Sequence, residues 1–165
     1  MGNIERRSGL SFKDFMNEYI IPNRPVILTD ASKDWKAHGV FTPEFFKKNF
    51  ADKKASIKGK EYQLGEYVDM MLASTPENPA PYPFKIDLER NFPELLAYVQ
   101  PDFEVMRKNR LKSPLFRKGL IPQAATLEVF LGGAAGWFPY IHYDLYGLYA
   151  IVTQVYGHKE FILYK

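Results

Sequence analysis

The 165-residue chain contains no cysteine. That absence removes a disulfide framework, a thiolate nucleophile and any cysteine-ligated zinc or iron–sulfur centre. Histidine is scarce too: with three of them, a metal site has to draw on few imidazoles and on Asp and Glu. No stretch approaches the roughly 20 apolar residues of a membrane-spanning helix, and the opening MGNIERRSGL lacks the apolar centre of a signal peptide. A soluble cytoplasmic protein with no membrane attachment is therefore expected. Gly2 does not make a myristoylation signal, because position 6 is Arg6 rather than Ser or Thr. Charge of one sign is also lacking: the net charge is +3, too little to call for a nucleic acid by itself.

Aromatic side chains are what the chain has in excess. Thirteen Phe and eleven Tyr, within 46% apolar residues, can fill a sizeable core, and the length suits one domain. Ser11 with Asp14 resembles a capping box opening a helix to about Ile20, which Pro22 and Pro25 stop. Val26 to Leu28 is a short strand, and Trp35 is read as a core or lid anchor. Thr42 as N-cap and Pro43 as first helical residue start a second helix with Phe45, Phe46 and Phe50 as its stripe. A strand at Ala55 to Ile57 is expected next, then a helix over Glu66 to Leu72 that turns Tyr67, Met70 and Met71 inward. Residues 75–84, TPENPAPYPF, hold four prolines and read as a loop, with a short helix near Pro93 to Tyr98 beyond.

Two stretches are basic, Lys47 to Lys60 and Arg107 to Lys118; the second has six cations and no acid. The second is a solvated face, a poorly ordered loop or a contact surface for an acidic macromolecule, and both could engage phosphates if they shared a face. From Ala125 the pattern changes to strands, at Thr126 to Leu131, Tyr149 to Tyr156 and Glu160 to Tyr164, with a tight turn at Gly132, Gly133 and Gly136. An apolar edge like the last strand needs cover, so these residues are expected to belong to a longer chain, with self-association into a homo-dimer as another way to cover it.

Metal-competent residues converge in GWFPYIHYDLYG, where His142 and Asp144 are one residue apart. On a strand that spacing puts both on one face, and they would supply two ligands of a 2-His-1-carboxylate iron site. The competing reading is a histidine packed against aromatics or bonded to a nearby carboxylate. His38 sits in a loop and is not counted as a ligand.

The order LGGAAGWFPYIHYD followed by VTQVYGHKEFILY resembles the cupin-like JmjC family of iron(II) and 2-oxoglutarate dependent oxygenases, and NRPVILTDASKDW before TPEFF resembles the opening of its hydroxylase-type members. The resemblance runs from about Ser11 to Lys165. It implies a mainly β protein with N-terminal helices, a double-stranded β-helix or jelly roll left incomplete within these residues. Residues 1–165 would be a single domain, with a helical portion over 1–124 and the first, truncated part of the barrel over 125–165. It implies His142 and Asp144 as metal and catalytic residues, with the family's second histidine lying downstream, and Lys159 as the partner of the distal 2-oxoglutarate carboxylate. His158, of opposite strand parity, takes a structural or surface role. Where relatives carry a hydroxyl near Pro139, Tyr140 would offer its phenol; where they place an Asn near Ala150 to Val152, Thr153 or Gln154 would compensate. Trp137, Phe138, Tyr143 and Tyr146 would wall the pocket or pack the barrel.

The activity so implied is a dioxygenase reaction, hydroxylation of a protein side chain coupled to conversion of 2-oxoglutarate to succinate and carbon dioxide. Demethylation of methyl-lysine is less favoured, since no chromatin-reading module or zinc motif is present. The alternatives are a non-catalytic cupin-like binding or scaffold module with a relic H-x-D, an RNA-modifying hydroxylase using the basic stretches, and a metabolite-binding cupin with another divalent metal.

Overall fold

The structure, a computed structural model, describes residues 3–101, 103, 127–138, 140–144 and 149–164. The chain divides into two units, Met1–Lys36 with Ala97–Ala124 and Ala37–Leu96 with Ala125–Lys165. The basic stretch 107–118 lies outside the described residues, as do Pro139 and Tyr146.

In the first unit the Ser11 hydroxyl accepts the Asp14 N–H at 3.1 Å and donates to the Asp14 carboxylate at 2.7 Å, which opens α1 (Phe12–Phe15). A π-helical turn, Met16–Ile20, continues it until the prolines intervene. The chain then pairs β2 (Ile27–Leu28) in parallel with β1 (Arg6–Arg7). Arg7 reaches from β1 to Glu18 at 2.7 Å and to the hydroxyl of buried Tyr19 at 2.7 Å. The bond to Glu18 raises the Arg7 pKa, and burial pushes the Tyr19 phenol up. Trp35 proves a core anchor: its ring stacks on Phe103 at 4.8 Å and its indole N–H donates to the Pro101 carbonyl at 2.9 Å.

The second unit is built around α2 (Pro43–Phe50) and α3 (Leu64–Leu72). Thr42 caps α2 by accepting the Phe45 N–H at 3.2 Å, and Pro43 occupies the first turn, where a missing N–H costs nothing. Phe46 and Phe50 pack edge-on against buried Phe92, at 5.9 and 4.8 Å. α3 buries Leu64, Tyr67, Val68 and Met71, the spacing of one helical face. Met70, expected inward, is 39% exposed instead, because it sits about 100° around the helix from Met71.

A hairpin joins the helices, β3 (Lys54–Ile57) with β4 (Lys60–Gln63). Lys58 and Gly59, at φ 50° and 81°, make the left-handed two-residue turn that matches strand twist. After α3 and the proline-rich loop comes β5 (Phe84–Asp87), with alternation that buries Phe84 and Ile86. It runs antiparallel to β6 (Glu128–Leu131), in a register from Phe84 opposite Leu131 to Asp87 opposite Glu128. Asp87 also caps α4 (Leu88–Asn91), and a 3₁₀ helix, Pro93–Val99, follows.

Beyond β6 the chain departs from its sequence pattern. The expected strands at 149–156 and 160–164 do not form: residues 149–164 carry no ladder pairing, and Phe161, Ile162, Leu163 and Tyr164 are exposed. β-branched and aromatic residues suit a sheet, but a strand exists only where a neighbour takes its N–H and C=O groups. Among the described residues no strand pairs with this segment.

Candidate functional site

The glycine turn positions the segment that carries His142. Gly136 N–H bonds the Gly133 carbonyl at 3.0 Å, with Ala135 between them at φ 57°. The turn lies hard against the proline-rich loop. A Cβ on Gly132 would sit 2.5 Å from the Tyr82 ring, and one on Gly133 would sit 2.5 Å from Ser74 Cβ and 2.7 Å from the Met71 carbonyl oxygen. These glycines are therefore close-approach residues, where any side chain would collide.

The close approach brings an aromatic cluster together around Lys159. Its ammonium donates to the Tyr82 hydroxyl at 2.7 Å and lies 5.0 Å from the ring centroid of Phe161, 5.3 Å from Tyr82 and 5.9 Å from both Phe130 and Phe138. Ring faces attract a cation, so the charge is held among rings without a carboxylate counter-ion in that set. Phe138 meets Tyr82 edge-on at 5.4 Å and reaches the His142 ring at 4.8 Å. Phe138 is thus a common neighbour of His142 and Lys159.

His142 Nδ1 lies 3.4 Å from the Tyr140 carbonyl, and the Tyr140 ring meets the imidazole edge-on at 5.5 Å. In the tautomer that places the proton on Nδ1, facing that carbonyl, Nε2 is left as the donor for a metal. Residues 141–144 carry no strand pairing, and His142, Asp144 and Tyr140 are all exposed. An imidazole and a carboxylate fit a divalent ion of iron's type, while no group of three His, Asp or Glu side chains assembles among the described residues.

The other expected residues fall unevenly. Thr153 is half-buried, and among the described residues it makes no hydrogen bond into the cluster; Gln154 turns instead to the Tyr156 carbonyl at 2.8 Å. Trp137 and Tyr143 are 73% and 88% exposed and wall nothing, whereas Phe138 is half-buried within the cluster. Tyr82 is the residue that the sequence reading missed. A tyrosine between Pro81 and Pro83 was the available signal, since an aromatic ring on a rigid loop needs a surface to pack on. In the basic stretch 47–60, Lys47 pairs with Asp69 and Lys54 with Glu61 at 2.8 Å, which neutralises part of that surface.

No helix among the described residues is long and apolar enough to cross a membrane. No protein-family model matches the chain. Over 195 aligned positions it is 23% identical to the arginine-specific demethylase JMJ20 of Arabidopsis thaliana, an alignment that takes in 98% of this chain and 42% of that protein. The chain thus spans less than half the length of the curated relative it matches, and the likeness to that JmjC-domain protein is distant.

Proposed function

We propose that the chain supplies the H-x-D-bearing part of an iron(II) and 2-oxoglutarate dependent oxygenase of the JmjC, cupin-like kind, built on a double-stranded β-helix and acting on a protein side chain. The observation that carries this reading is the shared neighbour of His142 and Lys159: Phe138 touches both, so the metal-competent residue and the cation meant for the cosubstrate lie at one cluster. The distant likeness to an arginine-specific demethylase agrees with an oxygenase acting on protein.

His142 and Asp144 would hold the metal, and Lys159 with the Tyr82 hydroxyl would bind the far carboxylate of 2-oxoglutarate by charge-assisted hydrogen bonds. When bound, iron and 2-oxoglutarate supply the oxidising power, one oxygen atom of O2 going to succinate and the other to a substrate C–H bond, with release of carbon dioxide. Phe130, Phe138 and Phe161 surround the ammonium, which itself remains exposed and open to an incoming anion. Removal of an N-methyl group is the same hydroxylation followed by loss of formaldehyde, so the two outcomes differ in which substrate carbon is presented.

The test is anaerobic calorimetry of the native full-length protein with manganese(II), a redox-inert stand-in, with and without 2-oxoglutarate. The expected result is metal binding that 2-oxoglutarate strengthens, that His142→Ala abolishes, and that loses its 2-oxoglutarate dependence in Lys159→Ala. Absence of metal binding would discard the oxygenase. The exposed run Phe161 to Tyr164 would then favour the scaffold reading.

A further inference from the structure

The β5–β6 ladder ends at Phe84 opposite Leu131, next to the residues that surround Lys159. Beyond that pair β5 gives way to the proline-rich loop and β6 to the glycine turn, where no further ladder pairing is formed. Two hydroxyls from α3 and the turn after it hold the loop at that point. The phenol of Tyr67, fully buried, has two carbonyl acceptors within reach of its single proton, Pro81 at 2.6 Å and Leu131 at 3.1 Å. The Ser74 hydroxyl accepts the Ala80 N–H at 2.8 Å and donates to the Ala134 carbonyl at 2.7 Å.

What these bonds join is informative. Pro81 is peptide-bonded to Tyr82, whose hydroxyl takes the Lys159 hydrogen bond, and Leu131 is bonded to Phe130, one of the rings around the same ammonium. Ala134 belongs to the turn that leads to Phe138, which touches both Lys159 and His142. Each hydroxyl ties the proline-rich loop to the β6 side of the cluster. Gly132 and Gly133 permit this spacing, since a Cβ at either would strike Tyr82 or Ser74.

We infer that Tyr67 and Ser74 are positioning residues of the Lys159 anion site: they clamp the loop carrying Tyr82 to the strand and turn carrying Phe130 and Phe138, and so set where the ammonium sits relative to His142. The functional meaning of that site rests on the oxygenase reading, but the clamp itself does not. Burial holds the Tyr67 phenol protonated, up to about 12, so the donor persists at any physiological pH.

The test measures Lys159 directly, without metal. An amine-acylating reagent is applied to the full-length protein, and the labelling rate at Lys159 is followed by peptide mass spectrometry, with Lys47, paired to Asp69, as internal control. Tyr67→Phe and Ser74→Ala should each speed Lys159 labelling roughly threefold or more, the scale of one lost hydrogen bond, and leave Lys47 unchanged. Tyr82→Phe should have the same effect, and Tyr67→Phe added to it should give no further increase, because both act through one contact. If Tyr67→Phe does not fold, Ser74→Ala decides alone. Wild-type labelling rates in folded clamp variants, or full additivity with Tyr82→Phe, would overturn the inference. Protection of wild-type Lys159 by 2-oxoglutarate with manganese(II) reports separately on the oxygenase reading: faster labelling in the clamp variants without any such protection keeps the clamp and discards that reading.

Discussion

Gly133→Ala is the severest small change the structure identifies. The added methyl would meet three atoms closer than 3.0 Å: Ser74 Cβ at 2.5 Å, the Met71 carbonyl oxygen at 2.7 Å and Ser74 Oγ at 2.8 Å. One belongs to the backbone of α3, which yields only by moving the helix, and two belong to a serine whose hydrogen bonds hold the proline-rich loop. Overpacking of this kind costs about 1 to 3 kcal/mol, and the backbone contact places Gly133→Ala at the upper end, near 3 kcal/mol. Gly39→Ala is the control: its Cβ meets nothing within 4 Å, and the cost comes from φ 80° alone, about 1 kcal/mol. In urea titrations followed by far-UV circular dichroism, with a slope of about 2 kcal/mol per molar, the Gly133 variant should lose roughly 1.5 M in midpoint and the Gly39 variant about 0.5 M. Ser74→Gly removes two of the three collisions, so the double variant should be less destabilised than the sum of the singles by about 1 kcal/mol or more. Equal midpoints for the two alanine variants, or simple additivity of Gly133→Ala and Ser74→Gly, would refute the steric argument.

Thr42→Ala should cost about 1 kcal/mol in the same titration, since it strips the α2 cap from the Phe45 N–H, and Thr42→Ser should recover most of it. The Tyr67 phenol, raised by burial to about 12, keeps its proton in the folded state where the unfolded chain loses it near pH 10. Its contribution is complete below pH 10 and is lost as pH rises toward 12, with a slope of at most about 1.4 kcal/mol per pH unit. Subtracting the stability profile of Tyr67→Phe from that of the wild type isolates this slope, and parallel profiles between pH 10 and 12 would contradict the burial argument.

What the sequence reveals about this structure is what short range decides. The caps at Ser11 and Thr42 and the face of α3 are legible because each involves residues within a turn or two of one another. β5 is obscured because four prolines just before it draw attention to the loop, although Phe84-Lys85-Ile86-Asp87 alternates cleanly. Met70 and Met71 look alike in composition, and only the helical angle separates an exposed methionine from a buried one. The H-x-D pair and Lys159 stand out through family resemblance, but the hydroxyl that Lys159 bonds lies 77 residues away, on a loop that no local rule connects to it. Strand character over 149–164 is equally clear in the residue types, while pairing depends on a neighbour that the pattern does not specify.

The two antiparallel pairs differ in how far apart their strands lie in the chain, and this orders events during synthesis. β3 and β4 are joined by Lys58 and Gly59 alone, so that hairpin can close within about 1 to 10 μs of leaving the ribosome. β5 must wait for β6: Asp87 pairs with Glu128, 128 − 87 = 41 positions later. At about 5 to 20 residues per second, this leaves Ile86 and Phe84, whose partners Val129 and Leu131 come later still, unpaired for roughly 2 to 9 s. The cluster around Lys159 therefore matures only after translation has run well past β5, and that interval is when a nascent-chain chaperone would have most to bind.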